Sequence, residues 1–330
     1  MIMGRRAQLR LLAVALLLLL PVLAACGTEP QSILDPKSNN AREIHNLGKI
    51  FYWSALAVFV LVEGALVYTI IRYRQSKNPE PFHIHGNTKV EIAWTIAPAI
   101  LVAFLAIMTY STQAKITTFP ENPFVVRAIG HQWWWEFEYP ELGISTAGDM
   151  YIPAGRDIKV ELQSKDVVHS FWVPKLMGKT DTLPGLTNYL WFNAEEPGEY
   201  YGQCAEFCGE QHALMRFKVI ARPQAEFDAW AAAMKEPPPA PPQSAGLCLG
   251  CHTFDATKPS TVGPNLRNFG SRAWIAAGAL ENTPEHLAAW LHNPEAVKPG
   301  NLMSTVVKPG VLTDAQIQEL VTYLERLKVE

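Results

Sequence analysis

Two clusters of cysteine and histidine, one of them with a methionine, lie in the second half of this 330-residue sequence. One is CLGCH, residues 248–252, and the other lies within GQCAEFCGEQHALM, residues 202–215. In the longer stretch four possible metal donors follow one another at intervals of four, four and three residues: Cys204, Cys208, His212 and Met215. Paired cysteines form disulfides by default in an oxidising compartment, but the histidine beside each pair indicates metal chemistry.

The shorter cluster matches C-x-x-C-H, the attachment signature of c-type haem, in which both thiols bond to the porphyrin and the histidine ligates iron. A thioredoxin-like redox pair would require a βαβ context, which this region lacks. The second axial ligand is predicted to be the one methionine downstream of this cluster, in a loop bounded by proline and glycine, because His286 and His292 belong to a predicted helix. Methionine–histidine ligation raises the potential and suits electron transfer. The predicted haem ligands are Cys248, Cys251, His252 and Met303.

The longer cluster has two interpretations from its residues. Two cysteines and one histidine, joined by a distant histidine, would make a tetrahedral zinc site. The thioether of Met215 has no use for zinc but suits copper, which tolerates soft axial ligands. A blue copper site needs a single thiolate, whereas Cys204 and Cys208 can bridge two copper ions and spread one electron over both. The residues favour two coppers.

Two apolar stretches, residues 50–71 and 92–110, each have about the 20 residues that a bilayer requires. The loop between them contains four basic residues, so the positive-inside rule predicts a cytoplasmic loop and extracytoplasmic termini. These residues are Arg72, Arg74, Lys77 and Lys89.

The N-terminus, residues 1–25, has the basic head and apolar core of a secretory signal peptide. Its end, Leu23-Ala24-Ala25-Cys26, resembles the lipobox of bacterial lipoproteins, which implies cleavage before Cys26 and a lipid on its thiol. An uncleaved first membrane helix is the alternative.

The remaining sequence predicts further domains. Runs rich in Val, Phe, Tyr and Trp, broken by turn residues, indicate a small β-sandwich. A short amphipathic helix and the linker EPPPAPPQSAG follow, and then a helical block in which Thr283 caps a helix that begins at Pro284. The predicted segments after the signal peptide are the N-terminal segment with the membrane hairpin (26–114), the sandwich (115–222), the helix and linker (223–243) and the last domain (244–330). A net charge of −3 provides no overall field for nucleic acid.

The last domain resembles class I cytochromes c. CLGCH is followed by VGPNL at residues 262–266, PGNLM at 299–303 and a C-terminal helix. The resemblance implies that the carbonyl of Pro264 accepts the ring N–H of His252.

Residues 40–221 resemble cytochrome c oxidase subunit II. The pattern C-x-E-x-C-x3-H-x2-M looks like the loop of the family's binuclear copper centre, CuA, and DVVHSFWVP matches the segment of its other histidine, here His169. From the residues alone His131 is an equally available donor. The resemblance also implies that Glu206 gives its carbonyl to one copper and its carboxylate to a magnesium or manganese ion shared with subunit I.

Two further roles follow from the same resemblance. Glu91, in HIHGNTKVEIAWTIAPA, falls where the family has the acid at the mouth of a proton-conducting channel in subunit I. Trp133, the first tryptophan of GHQWWWEFEYP, falls where the family passes electrons to copper. Core packing is the commoner use of tryptophan, and strand alternation should send Trp134 to the opposite face from Trp133 and Trp135. Leu186 stands where the family often has arginine.

The whole chain is similar to the fused subunit II of caa3-type oxidases. This implies a multidomain membrane protein with a two-helix transmembrane hairpin, an all-β cupredoxin-like sandwich and an all-α cytochrome c domain in a bacterial cell membrane. The linker would hold the haem near copper at a roughly millimolar effective concentration. Quinol-oxidising relatives lack the copper ligands, so direct quinol oxidation is not expected. An electron-entry subunit of a nitric oxide reductase and a zinc-stabilised binding protein are the alternatives.

The implied partners are subunit I with haem a and CuB, subunit III, membrane lipid and an external electron donor. That donor would be a soluble or membrane-bound cytochrome, a cupredoxin or a bc1-type complex. Oxygen reduction and the coupled proton translocation are expected in subunit I rather than in this chain.

Overall fold

The computed structural model describes residues 29–74, 85–258 and 262–329. The predicted signal peptide, the lipid site at Cys26 and the loop residue Lys77 lie outside these ranges. The chain divides into two compact units, one formed by residues 42–121 and the other by the rest.

The smaller unit is a helical hairpin. Helix α1 spans Asn39–Arg72 and α2 spans Thr88–Thr117, and both are long and apolar enough to cross a membrane. The helices extend beyond the predicted spans because polar turns continue the helical hydrogen bonding at their ends. Asn87 caps α2 by accepting hydrogen bonds from the backbone N–H groups of Lys89 and Val90.

The sandwich consists of two five-stranded sheets with the orders β3-β2-β1-β5-β8 and β4-β10-β9-β6-β7. Their strands are β1 Phe124–His131, β2 Trp134–Tyr139, β3 Ile144–Ala147, β4 Asp149–Pro153, β5 Ile158–Ser164, β6 His169–Trp172, β7 Thr180–Thr182, β8 Asn188–Phe192, β9 Gly198–Cys204 and β10 Arg216–Arg222. Alternation is clear in β5, where Ile158, Val160 and Leu162 are fully buried between more exposed polar residues.

Aromatic rings join the two sheets of the sandwich. Trp135 of β2 lies 5.5 Å from the ring centroids of both Phe171 and Phe217, which stack on each other at 4.6 Å. Helix α3, Gln224–Lys235, extends this core, because its Trp230 stacks on Tyr151 at 4.4 Å and is fully buried. The helix predicted as part of a connecting segment therefore belongs to the core of the sandwich.

The last domain is mostly helical. Its helices are α4 Pro284–His292, α5 Pro294–Val297 and α6 Asp314–Glu325, with 3₁₀ segments at Gln243–Gly250, Phe269–Ser271 and Leu302–Thr305. Thr283 accepts from the backbone N–H of His286, which confirms the predicted cap. A two-stranded hairpin, β11 Trp274–Ile275 and β12 Leu280–Glu281, departs from the all-helical expectation. Strands of two residues are too short to leave an alternating pattern in the sequence.

The sandwich and the last domain are in direct contact. The backbone N–H of Ser145 donates to the carbonyl of Ala256 at 2.9 Å, and that of Arg216 donates to Ala277 at 3.0 Å. Two apolar residues of the last domain, Ala256 and Val329, belong to the buried core of the sandwich. The proline-rich segment thus connects two domains that share a packed boundary.

Candidate metal centres

Paired strands of one sheet position the donors of the longer cluster. Cys204 ends β9 and His169 begins β6, and these strands pair with Phe171 opposite Cys204. The chain then turns through the 3₁₀ segment His212–Leu214 and returns in β10. The backbone N–H of Cys204 donates to the carbonyl of Met215 at 2.9 Å, which closes the loop at its base.

The donors converge around two sulfur atoms. The Sγ atoms of Cys204 and Cys208 are 3.8 Å apart, well beyond the disulfide length of about 2.05 Å. Nδ1 of His169 lies 3.9 Å from Cys204 Sγ, and Nδ1 of His212 lies 3.6 Å from Cys208 Sγ. Met215 Sδ is 3.8 Å from Cys208 Sγ. Each sulfur therefore faces a different histidine.

The charge on this sulfur pair is shared. A hydrogen bond from the Cys208 thiol holds the pKa of Cys204 far below its usual range, although burial opposes this shift. The pKa of Cys208 is raised, because its thiol donates this hydrogen bond to Cys204 and because it is buried. Two sulfurs that share one proton, together with two ring nitrogens and a thioether, form a donor set that fits two bridged copper ions. A tetrahedral zinc ion has no use for the buried thioether.

Asp166 orients the histidine of β6, a role that the sequence did not predict. Its Oδ1 accepts from His169 Nε2 at 2.8 Å, and its Oδ2 accepts from the backbone N–H of Gln132 at 2.7 Å. Burial lowers the pKa of His169, but the hydrogen bonds with Asp166 and Cys204 outweigh it, and the net shift is upward. With its proton held on Nε2, His169 presents the Nδ1 lone pair to the sulfurs. The signal in the sequence was an acid three residues before the histidine.

Glu206 presents two different groups to its surroundings. Its backbone oxygen lies 3.2 Å from Cys204 Sγ, at the centre. Its carboxylate is partly exposed and lies 3.9 Å from Lys179 Nζ.

The three tryptophans have separate environments. Trp133 donates its indole N–H to the carbonyl of Cys208 at 3.0 Å. Trp134 is half-buried and stacks on His131 at 4.1 Å, whereas Trp135 is fully buried, as strand alternation predicts. Trp133 itself precedes β2. His131 bonds Glu136 at 3.0 Å, so the structure does not bring this alternative donor to the sulfurs.

The CLGCH segment forms a second compact site. The backbone N–H groups of Cys251 and His252 both donate to the carbonyl of Cys248. His252 donates its Nδ1–H to the carbonyl of Pro264 at 2.8 Å, and burial lowers its pKa. This bond leaves Nε2 as the iron-binding nitrogen.

The surroundings of this histidine fit a haem ligand. A Cβ at Gly263 would lie 2.5 Å from the His252 ring, so glycine is required there. Cys248 is a half-buried thiol packed against the core of the last domain. Met303 lies in a 3₁₀ segment and also packs against that core.

Glu91 lies apart from both clusters in sequence, in the first turn of α2. Its side chain is exposed, and a Cβ at Gly86 would lie 2.5 Å from its Oε1. Its channel role stays a prediction.

Family models match three parts of the chain. Residues 29–112 match the transmembrane domain of cytochrome c oxidase subunit II, residues 142–221 match its periplasmic domain, and residues 244–328 match cytochrome c. The chain is 37% identical over 322 residues to cytochrome c oxidase subunit 2 of Alkalihalophilus pseudofirmus, covering 92% of each protein. The chain belongs to the cytochrome c oxidase subunit II family.

Other relatives show the breadth of this family. Cytochrome c oxidase subunit 2 of Bacillus subtilis is 33% identical, with 96% of this chain and 98% of that protein covered. Quinol oxidase subunit 2 of Bacillus spizizenii is 34% identical, with 68% of this chain and 72% of that protein covered. The matched domains imply copper in the sandwich and haem in the last domain, where the gathered donors fit them. They also imply a two-pass membrane protein with subunit I as its partner.

Proposed function

We propose that this chain is the electron-entry subunit of a haem–copper terminal oxidase and delivers electrons to subunit I for the reduction of O2. The observation that carries this proposal is the convergence of two thiols, two imidazoles and a thioether beside a cytochrome c domain. When bound, copper and haem supply one-electron redox chemistry; the polypeptide holds their ligands and limits reorganisation.

The proposed ligands follow from the contacts. Those of the copper pair are His169, Cys204, the Glu206 carbonyl, Cys208, His212 and Met215. The haem would be bonded to Cys248 and Cys251, with His252 and Met303 on the iron and Pro264 orienting the histidine. The copper ligands also argue against direct quinol oxidation, despite the similarity to a quinol oxidase subunit.

Three roles extend the proposal toward subunit I. Trp133 would couple the copper centre to its donor, supported by its hydrogen bond to the Cys208 carbonyl. The partly exposed carboxylate of Glu206 would bind a magnesium or manganese ion shared with subunit I. Glu91 would lie at the entrance of that subunit's proton channel.

The setting is proposed from the sequence. The basic loop between the helices would face the cytoplasm, both metal domains would be extracytoplasmic, and Cys26 would carry a lipid. Subunit III and an external one-electron donor, a cytochrome, a cupredoxin or a bc1-type complex, would complete the assembly.

Metal analysis of the purified oxidase tests the proposal. We expect two copper ions and one covalent haem in this chain, with an electron paramagnetic resonance signal shared by both coppers. Zinc in place of copper in this chain, or no haem left covalently bound to this chain after acid acetone has extracted the haems of subunit I, would overturn the proposal.

A further inference from the structure

A buried lysine joins the two metal domains. Lys298 follows α5 in the last domain and is 3% exposed. Its Nζ donates to the carbonyls of Trp133 and Leu214, both at 2.8 Å, and of Ala276 at 3.0 Å. These three acceptors match the three N–H donors of an ammonium group. Two of them belong to the sandwich and one to the domain of Lys298 itself.

The two acceptors in the sandwich adjoin the copper donors. Trp133 bonds the Cys208 carbonyl through its indole N–H, and Leu214 directly precedes Met215. Lys298 opens the segment KPGNLM, which ends at Met303. A single ammonium therefore connects the loop that holds the copper donors to the loop that holds the proposed haem methionine.

The backbones of these two loops also approach closely. Gly300 has a φ of 73°, and a Cβ at this position would lie 3.0 Å from Glu210 Oε2 and 3.7 Å from the Trp133 ring. Both the left-handed backbone and the neighbouring side chains favour glycine there. The Met303 loop thus lies directly against Trp133 and the copper loop.

Burial of the Lys298 ammonium is costly, and its three carbonyl acceptors replace the water that it loses. Burial lowers the pKa of Lys298 to about 7, although the charge of Cys208 raises it. Undocking of the last domain would break the hydrogen bonds of Lys298 with the sandwich, and water would have to replace them at the ammonium and at the carbonyls. A second cation, Arg267, donates to the carbonyls of Ala233 and Glu236 at the end of α3, away from the copper loop.

We propose that Lys298 is a positioning residue that keeps the cytochrome c domain docked on the copper loop, so that electrons pass between the two centres in one fixed complex. The inference rests on the proposed function. Each step oxidises the haem iron by one electron and reduces the copper pair by that electron, and an external one-electron donor then reduces the haem again. In this complex the haem domain would stay docked, and the linker would only join the two domains in one chain.

The test measures electron transfer within the assembled oxidase. A photochemical reductant reduces the haem, and its reoxidation is followed together with reduction of the copper pair. We expect Lys298→Met to slow this phase about tenfold, because losing hydrogen bonds to a buried charge lowers the docking equilibrium constant by at least that factor. Lys308→Met is the matched control, because Lys308 is an exposed lysine of the same domain, and it should transfer at the wild-type rate.

A longer linker separates docking from damage to the copper site. About ten Gly and Ser residues inserted between Ala240 and Pro241 would lower the effective concentration of a freely tethered domain. The wild type should keep its rate with this insertion and at high salt, whereas Lys298→Met should become sensitive to both. If Lys298 only maintained the shape of the copper site, Lys298→Met would change the copper resonance signal, but its rate would not depend on linker length or salt.

The contrary outcomes are distinct. A wild-type rate in Lys298→Met would overturn the positioning role of Lys298, and a wild type that slows with the longer linker would overturn the fixed complex. If Lys298→Met fails to assemble, the comparison of wild type with its linker-extended form decides the question alone. A wild type that lacks copper or haem would overturn the proposed function instead.

Discussion

The copper centre and the haem site hold their ligands in different ways. Two of the proposed copper donors, His169 and Cys204, are almost fully buried at the ends of paired strands, where the sheet register places them together. Cys248 and Met303 lie in 3₁₀ segments and Cys251 directly follows the first of them, all three at half-buried positions. Non-covalent ligands require a rigid frame, whereas a covalently attached group can depend on local turns and its own bonds.

The largest expected effect is at the copper centre. Cys208→Ser removes one of the two bridging sulfurs and should abolish the shared copper signal and oxidase turnover, because an alcohol is a poor ligand for copper. The haem spectrum of the same preparation should be unchanged and serves as the control. A binuclear copper signal that survives this substitution would show that the centre has been wrongly placed.

The corresponding change at the haem site should be local. Met303→Leu should alter the haem spectrum and lower its reduction potential, because methionine–histidine ligation raises that potential. The covalent haem and the copper signal should both remain. If the copper signal were lost as well, the copper site would depend on Met303 and the two sites would not be separate.

A weaker effect is expected from the residue that orients a copper ligand. Asp166→Ala should lower copper affinity about 10- to 100-fold, because His169 loses the acceptor that fixes its tautomer. Competition with a copper chelator measures this change. Asp228→Ala, at an exposed position in α3, is the control. Equal affinity in both variants would show that the hydrogen bond does not tune the centre.

The smallest effect concerns stability at the domain boundary. Burial raises the pKa of Asp149 in β4 to about 6, above its ordinary 3.8, while nearby Arg272 of the last domain partly offsets this. Between these values the folded state binds more protons than the unfolded state, so this group lowers stability as pH rises from about 3.8 to 6.

Asp149→Asn should remove this dependence. Its melting temperature relative to wild type should rise by a few degrees across that pH range and then level off, with electron transfer unchanged. Thermal unfolding followed at several pH values measures the difference. A constant difference at every pH would contradict an ionised, buried Asp149.

Local patterns predicted much of the site. C-x-x-C-H and the spacing of Cys204, Cys208, His212 and Met215 identify donors because neighbouring residues and one turn bring them together. Choosing His169 over His131 required the family resemblance, and the structure brings His169 to the sulfurs while His131 bonds Glu136. The hydrogen bond of Asp166 was missed because many acids precede a histidine by chance.

The sequence by itself determined the two apolar helices, the β-rich and helical domains and the choice of the proposed metal donors, since each depends on composition or spacing over a few residues. Only the tertiary structure decided that α3 enters the sandwich core and that Lys298 reaches Trp133, 165 positions away. Such contacts leave no periodic signal, because they depend on how two completed domains fit together. The proline-rich segment predicted a linker between two domains, and only the structure showed that these domains pack against each other.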